Sequence, residues 1–194
     1  MNNNSFFALV FREKYMKRWG LMRNANDEDL ASHSAEVAEL AHALAIIGNT
    51  YFGKHYDANK AAVVGLYHDA PEVYTGDMPT PVKYFSHAMR ENYQIVENNA
   101  IEELLIKLPM EMRDTYREAL KTEDEEIEKL VKVADKLAAY IKCLEEMKYG
   151  NPEFSSAEKT IRKSLDKMDC EELRWFEKHI LPSFLLTLDE MQNS

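Results

Sequence analysis

The chain has 194 residues, of which 45% are hydrophobic and 30% are charged, and its formal net charge at pH 7 is −10. This length suffices for one domain with a sizeable core, and the composition argues against both a disordered chain and a membrane protein. The acidic balance argues against a nucleic-acid polymer or an anionic membrane as partner, because either requires a basic face. A small anionic substrate remains compatible, since a metal ion and one or two arginines create a local positive pocket.

Localisation is indicated by the first ten residues and by the two cysteines. Residues 1–10 lack the basic start and cleavage pattern of a signal peptide, and no segment approaches the roughly 18 apolar residues of a spanning helix. Cys143 lies inside an apolar helical pattern, and Cys170 is the only other cysteine. We therefore expect a cytoplasmic protein with two reduced thiols rather than a disulfide.

The apolar spacing predicts helices along the first half of the chain. The first helix is expected over residues 5–19 and the second over residues 33–47, and Asp57 is placed to cap a third. A long fourth helix is predicted from Val82. The residues expected to be buried on the first helix are Phe6, Phe7, Val10 and Phe11, and those expected on the long helix are Phe85, Met89, Tyr93, Val96, Ala100, Leu104 and Leu108.

Capping signals mark the second half. Thr122-Glu123-Asp124-Glu125 and Ser155-Ser156-Ala157-Glu158 both have the Ser/Thr-x-x-Glu spacing of a capping box, which predicts helix starts. The last helix is expected over residues 170–190, interrupted by Pro182. No alternating strand pattern holds for five residues, and there is no internal repeat. The sequence therefore predicts a single all-α domain.

Four candidate metal ligands occur in the order His33, His68-Asp69, Asp135. His33, His68 and Asp135 fall on the apolar stripes of three different helices, where an ionised aspartate costs free energy unless it is paired or binds a metal. Any one of them alone is more simply a hydrogen-bonded core histidine or a salt-bridged aspartate. Their occurrence on three helices, with Asp69 adjacent, favours one shared site.

The types of ligand atom restrict which metal ions suit the site. Two imidazoles and two carboxylates suit Mn, Fe, Co, Ni or Zn better than Mg or Ca, and the sequence does not choose among these. Four protein ligands leave positions for a water and a substrate oxygen on a six-coordinate ion. The remaining histidines do not extend the set, so one divalent transition metal is predicted.

The order His … His-Asp … Asp on helices resembles the HD superfamily of metal-dependent phosphohydrolases, and within it the chain resembles the bacterial 5'-deoxynucleotidase family. The segments most specific to that family are Arg18-Trp19 and the run from Thr75-Gly76-Asp77 through Pro79-Thr80-Pro81. Pro71 and Gly20 depart from the residues usual in that family. The resemblance implies one HD domain over residues 1–194, a bundle of about seven to nine helices, and a homodimer.

The same resemblance implies the catalytic roles. Glu72 is the acid/base group, and Arg18 orients the phosphate, for which its planar fork is suited. Without the family, Glu72 reads as an exposed glutamate at a helix start and Arg18 as part of a surface salt bridge. The implied metal ligands are His33, His68, Asp69 and Asp135, of which His33, Asp69 and Asp135 are also expected to contact substrate.

The resemblance also implies that the two family-specific segments, Arg18-Trp19 and residues 75–81, recognise the sugar. Trp19 resembles a wall that leaves no space for a ribose 2'-hydroxyl, and Asp77 is expected to accept a hydrogen bond from the 3'-hydroxyl. The loop with Met78, Pro79 and Thr80 is expected to cover the nucleoside. From spacing alone, Trp19 reads as a core residue and Asp77 as a turn aspartate.

The function implied is hydrolysis of deoxyribonucleoside 5'-monophosphates to deoxynucleoside and phosphate. One alternative is another HD activity, a nucleoside triphosphohydrolase or a phosphodiesterase, although a triphosphate calls for more basic residues than the motifs carry. The other is a non-catalytic domain in which the metal only joins helices. Structural metal sites usually close their coordination shell, often with cysteine, which disfavours that reading.

Overall fold

The computed structural model describes residues 4–78 and 86–193, and within these ranges the regular elements are helical apart from one isolated antiparallel bridge between Lys17 and Asp29. The all-α class predicted from the sequence is confirmed. The α-helices are α1 (Phe6–Val10), α2 (Leu30–Tyr51), α3 (Ala58–Tyr67), α4 (Glu72–Thr75), α5 (His87–Leu105), α6 (Arg113–Leu120), α7 (Glu125–Lys148), α8 (Ser155–Asp166), α9 (Glu171–His179) and α10 (Leu188–Gln192). Short 3-10 turns occur at Phe11–Tyr15, Met110–Met112, Pro152–Phe154 and Leu181–Leu185.

The main core lies between the long helices α2 and α7, with α3 against both and α8 and α9 closing the outside. Leu44 of α2 and Leu137 of α7 are completely buried in it. Burying a leucine side chain contributes roughly 2 kcal/mol, so this interface stabilises the packing of α2 against α7. The interface matters for function because His33 and Asp135 lie on these two helices.

A close approach of α2 and α3 depends on Gly65. A Cβ atom at Gly65 would stand 3.0 Å from Ala38 Cα and 3.2 Å from Val37 O, both backbone atoms that cannot rotate away. The glycine therefore allows the backbones of α2 and α3 to touch. His68 follows directly after α3, so this contact brings it towards His33.

A smaller core, formed around Phe6, Ala70 and Leu104, lies beneath α1, α4 and α5. It supports the turn that carries His68, Asp69 and α4. The two cores together hold the three segments that bear the candidate ligands.

The first helix is shorter than the predicted 5–19. α1 ends at Val10, a 3-10 turn follows, and Met16 is extended at φ −96° and ψ 110°. The backbone N–H of Leu30 donates to Met16 O at 2.9 Å, and that of Arg18 donates to Glu28 O at 3.0 Å. These long-range hydrogen bonds replace the helical ones. The prediction that Phe7 and Phe11 are buried is also wrong, since they are 40% and 69% exposed.

The two predicted capping boxes do not form. α7 is capped by Asp124, whose carboxylate accepts from Ile127 N–H at 3.2 Å, while the Thr122 hydroxyl donates to Glu118. At the second position Asn151 instead caps the 3-10 turn that leads into α8, accepting from Glu153 N–H. Asp57 does cap α3 as predicted, through Lys60 N–H at 2.9 Å.

The later helices also differ in detail. Ser86 caps α5, and the predicted start at Val82 and the buried Phe85 lie outside the described residues. The buried residues of α5 all lie in its second half; Met89 and Val96 are 40% and 49% exposed, so their predicted burial is wrong. The interruption at Pro182 is confirmed, because a 3-10 turn separates α9 from α10.

Both cysteines are free, as predicted, and both are buried. Across the described part of the chain, none of the helices combines the length and apolar character needed to cross a bilayer.

Candidate metal centre

The structure brings the four candidate ligands to one place between α2, the end of α3 and α7. His33 Nε2 lies 3.1 Å from Asp135 Oδ1 and 3.8 Å from Asp69 Oδ2, and His68 Nε2 lies 3.1 Å from Asp69 Oδ2. One donor atom each from His33, His68 and Asp135 falls within 4.8 Å of the others. Donors at such separations can contact one shared ion.

Each histidine is oriented by a second contact. His68 Nδ1–H donates to Gly65 O at 2.7 Å, which leaves Nε2 directed at Asp69. His33 is fully buried, and its Nδ1 faces Glu28 Oε1 at 3.6 Å while Nε2 faces Asp135. A carbonyl or carboxylate behind the ring is the arrangement that fixes the tautomer of a metal-binding histidine.

The charges of the cluster fit a cation. Burial works against the protonated form of His68, but the charge and hydrogen bond of Asp69, together with the Asp135 charge, outweigh burial and raise the His68 pKa to about 9. Burial likewise works against ionised Asp135, but a hydrogen bond from His33 and the His68 charge hold the Asp135 pKa well below its usual range. The carboxylates thus hold positive charge on the imidazoles. A divalent ion can take the place of those protons, since ligands must be deprotonated to bind.

Arg18 lies beside this cluster and is largely buried. Its Nη1 is 3.6 Å from Asp69 Oδ2 and its Nε is 3.5 Å from Glu28 Oε2. Burial lowers the pKa of Arg18, but nearby carboxylates, Glu28 first among them, raise it by more than burial lowers it. The guanidinium therefore stays charged. Arg18 is therefore a largely buried cation beside the candidate ligands, not part of a surface salt bridge.

Glu72 is the first residue of α4 and is 4% exposed, which excludes the reading as an exposed glutamate. Pro71 precedes it with φ −59°, the value that a first helical turn requires. The Glu72 N–H donates to Asp69 O at 2.9 Å, so the backbone fixes Glu72 relative to a candidate ligand.

Trp19 adopts a left-handed backbone conformation with φ 56°. For a bulky residue this conformation costs roughly 1–2 kcal/mol, so surrounding contacts must hold it. Its indole Nε1–H donates to Glu28 Oε2 at 2.6 Å, and its ring centroid lies 5.3 Å from that of buried Phe154. Trp19 is half-buried at the edge of the site, rather than in the core.

The covering loop is described only in part. Asp77 is exposed, and its carboxylate contributes to the raised pKa of Arg18, which places its charge on the same side of the site. Met78 is half-buried. Pro79 and Thr80 lie outside the described residues.

Two buried carboxylates near the site were not predicted. Glu13 is 3% exposed, and burial together with the Asp69 charge raises its pKa to about 7. Its spacing from Phe6 and Val10 places it on the apolar stripe of the first helix, which was a usable signal. Glu28 follows no periodic segment, so the sequence gives no comparable signal for it.

A buried ion pair ties the loop after Trp19 to α7. Glu146 accepts from Lys142 Nζ at 2.6 Å and from the backbone N–H groups of Ala25 and Asn26 at 2.8 and 3.1 Å. Asn151 Nδ2 donates to the same carboxylate at 2.8 Å. The loop between Trp19 and Glu28 is thus fixed to the helix that carries Asp135.

Comparison with known proteins adds independent information. The family described as "5'-deoxynucleotidase YfbR-like" matches residues 5–184. A 5'-deoxynucleotidase of Enterobacter sp. (strain 638) is 43% identical over 98% of this chain and 97% of the relative. A 5'-deoxynucleotidase of Vibrio cholerae is 42% identical over 98% of this chain and 100% of the relative.

Solved structures support the fold. An HD-domain phosphohydrolase from Listeria innocua superimposes with a TM-score of 0.81 at 21% identity, covering 97% of this chain and 92% of that chain. The cyanophage S-2L HD phosphohydrolase DatZ, bound to dA and one catalytic Zn²⁺ ion, gives a TM-score of 0.65 at 17% identity, covering 91% and 96%. The helices therefore form an HD-domain fold. Together with the match over nearly the whole length, this confirms the predicted family: the chain belongs to the YfbR-like 5'-deoxynucleotidase family.

Proposed function

We propose that this chain is a metal-dependent phosphoric monoester hydrolase that converts deoxyribonucleoside 5'-monophosphates to deoxynucleosides and phosphate. The observation that carries the proposal is the cluster of two imidazoles and two carboxylates beside the buried cation Arg18. It occurs in a chain whose relatives, at 42–43% identity over 98% of its length, are named for this activity.

The proposed metal is one divalent transition ion, Co, Mn, Ni, Fe or Zn, held by His33, His68, Asp69 and Asp135. Mixed imidazole and carboxylate donors suit these ions better than Mg or Ca. When bound, such an ion supplies Lewis acidity towards a phosphate oxygen and lowers the pKa of a water molecule.

Arg18 is proposed to bind and orient the phosphate. Its charge is maintained by Glu28 and Asp69 at 3.5 and 3.6 Å, and neither contact is a short bidentate pair that would occupy the whole guanidinium. The guanidinium therefore keeps N–H groups for phosphate oxygens.

Glu72 is proposed to move the proton. The reaction needs a proton removed from the attacking water and one delivered to the leaving 5'-oxygen, and a positioned carboxyl group can do either. Its burial and its backbone link to Asp69 support this role, because they hold it close to a proposed ligand.

The sugar is proposed to lie against Trp19, whose ring leaves no space for a 2'-hydroxyl, while Asp77 accepts from the 3'-hydroxyl. Met78, Pro79 and Thr80 are proposed to cover the nucleoside. The indole hydrogen bond to Glu28 and the ring contact with Phe154 support a fixed orientation of this wall.

The larger-scale proposals are one HD domain over residues 1–194, a homodimer and a cytoplasmic location, with neither a nucleic-acid polymer nor a membrane as partner. The exposed Leu185 and Leu188 near the C-terminus support an apolar contact between two copies.

The function is tested with protein stripped of metal and resupplied with Co, Mn, Ni, Zn or Mg, by measuring phosphate released from dAMP, 3'-dAMP and dATP. We expect dAMP to be hydrolysed only after a transition metal is returned. Glu72→Gln is expected to keep its metal and fold but to lose about 100- to 10,000-fold in kcat. Turnover of dATP alone would replace the proposal with a triphosphohydrolase, and unchanged activity in Glu72→Gln would remove Glu72 from the reaction.

A further inference from the structure

Glu28 stands where three functional side chains meet. It lies just before α2 and is 7% exposed. Its Oε2 accepts from Trp19 Nε1–H at 2.6 Å and lies 3.5 Å from Arg18 Nε, while its Oε1 lies 3.6 Å from His33 Nδ1. One carboxylate thus lies beside Trp19, which is proposed to face the sugar, Arg18, which is proposed to bind the phosphate, and His33, a proposed metal ligand.

The contact with Trp19 is the strongest of the three. A hydrogen bond to a charged acceptor is about twice as strong as a neutral one, and a distance of 2.6 Å is short for N–H···O. The backbone of Trp19, with φ 56°, is held separately, because Met22 N–H and Asn24 Nδ2 donate to Trp19 O at 2.8 and 3.3 Å. The indole ring itself is held by Glu28 and by Phe154.

The contact with His33 acts on the other end of the same carboxylate. At 3.6 Å it is electrostatic rather than a hydrogen bond, and it favours a proton on Nδ1. Nε2, which faces Asp135 at 3.1 Å, is then the nitrogen left for an ion. Carboxylates behind metal-binding histidines commonly act in this way.

The main chain holds the same segments together independently of the carboxylate. Arg18 N–H donates to Glu28 O at 3.0 Å, and Leu30 N–H donates to Met16 O at 2.9 Å. A change confined to the Glu28 side chain therefore leaves the path of the backbone supported, so its effects report on the carboxylate.

We propose that Glu28 is a positioning residue whose single carboxylate sets both the orientation of the His33 ring and the pose of Trp19. Metal affinity and discrimination against ribose are then coupled through one side chain. The part concerning ribose rests on the proposed function, whereas the part concerning the metal and the indole does not.

A second cation at Glu28 is a competing use of the same atoms. Donor atoms of Glu28, His33 and Glu36 do lie within 4.8 Å of one another. However, Glu28 Oε2 already accepts from Trp19 and faces the Arg18 guanidinium, and a cation beside that charge would be repelled. The contacts favour positioning over a second ion.

The test uses the full chain with Trp175→Phe as background, so that Trp19 is the sole tryptophan. Glu28→Gln is compared with this parent in three measurements: the Mn²⁺ dissociation constant by calorimetry, the Trp19 emission of the metal-free protein, and the ratio of kcat/KM for dAMP to that for AMP. We expect Mn²⁺ binding to weaken by about 10- to 100-fold, the emission to shift to longer wavelength, and the ratio to fall several-fold.

Asp27→Asn is the matched control, because Asp27 is the adjacent carboxylate, is exposed, and pairs with Lys17 outside the site. It removes the same charge and is expected to change none of the three measurements. An equal effect of Asp27→Asn would assign the result to net charge and overturn the proposal.

The proposal is also overturned if Glu28→Gln weakens Mn²⁺ binding but leaves both the emission and the ratio unchanged, since the coupling would then be absent. Should Glu28→Gln fail to fold by circular dichroism, Glu28→Asp takes its place. The shorter aspartate carboxylate cannot contact both Trp19 and His33. If Glu28→Asp gave the same values as the parent in all three measurements, the positioning role of Glu28 would be contradicted. If the parent hydrolyses no nucleotide, the proposed function fails. Mn²⁺ binding and Trp19 emission then still test whether Glu28 positions His33 and Trp19.

Discussion

Asp135 Oδ1 and His33 Nε2 lie 3.1 Å apart although 102 positions separate them in the chain. The contact joins α2 to α7, the two longest helices of the described chain and the main walls of the core. The candidate metal centre is thus built on the two helices that form most of the main core, which suits a site that must hold its ligands in a fixed geometry.

Asp135→Asn is expected to abolish tight metal binding. The amide is a weaker ligand and cannot hold the imidazole as an ion pair, so we expect more than 100-fold weaker Mn²⁺ binding by calorimetry, beyond the loss typical of a supporting residue. Mn²⁺ at a concentration that just saturates the wild type should then raise the melting temperature of the variant far less. Glu39→Gln, an exposed carboxylate on α2, is the control and should bind like the wild type. Undiminished binding in Asp135→Asn would exclude Asp135 as a ligand.

Trp19→Ala is expected to raise the activity on AMP relative to dAMP, because it removes the ring proposed to exclude the 2'-hydroxyl. The measurement is the ratio of kcat/KM for the two nucleotides, and we expect a change of at least about 10-fold, or 1.4 kcal/mol. Trp175→Ala removes the other indole, which stacks on Tyr51. An unchanged ratio in Trp19→Ala would reject steric selection by this residue.

Gly65→Ala is expected to destabilise the fold and weaken metal binding together. The new methyl would lie 3.0 Å from Ala38 Cα, forcing α2 and α3 apart at a cost of about 1–3 kcal/mol in the free energy of unfolding. Gly20→Ala is the control, since its nearest atom is Lys17 O at 3.8 Å. Urea unfolding and Mn²⁺ calorimetry measure both effects, and full stability in Gly65→Ala would contradict the close approach of the two helices.

The buried pair of Lys142 and Glu146 predicts a pH-dependent stability. Burial acts against ionised Glu146, but the hydrogen bond from Lys142 and those from the backbone lower its pKa from 4.5 to about 2. A folded-state pKa below the unfolded value stabilises the fold above pH 4.5, and this contribution is lost as pH falls from 4.5 towards 2. The difference in unfolding free energy between wild type and Glu146→Gln should therefore shrink over this range.

The size of the stability loss in Glu146→Gln at neutral pH follows from the burial of the ion pair. Removing one partner of a buried pair leaves the other charge uncompensated, so Glu146→Gln should lower the free energy of unfolding by about 3 kcal/mol. Glu128→Gln breaks an exposed pair of the same spacing on the same helix, with Lys132, and should cost less than about 0.5 kcal/mol. Equal losses in the two variants would show that burial does not govern the strength of the Lys142–Glu146 pair.

The helical class and the inward placement of His33 were predictable because both follow from local periodicity. The same periodicity placed Asp135 on an apolar stripe, although its side chain is 38% exposed towards the site. Glu13 falls on the stripe of Phe6 and Val10, so its burial was equally predictable from the periodicity.

What the sequence could not provide depends on contacts between distant segments. The end of the first helix is set by hydrogen bonds from Arg18 and Leu30, which no local pattern encodes. Glu28 lies in an irregular segment without periodicity, so its contacts with Trp19 and His33 appear only in three dimensions. The caps at Asp124 and Asn151 were missed because nearby residues offered equally good capping sequences.

The most direct test of the central claim is a competition assay, in which dAMP and AMP at equal concentration are mixed with Mn²⁺-loaded protein and both are followed by chromatography. The ratio of the two consumption rates equals the ratio of their kcat/KM values. We expect dAMP to be consumed to deoxyadenosine and phosphate while AMP remains. Equal consumption of the two, or persistence of both, would contradict a 5'-deoxynucleotidase.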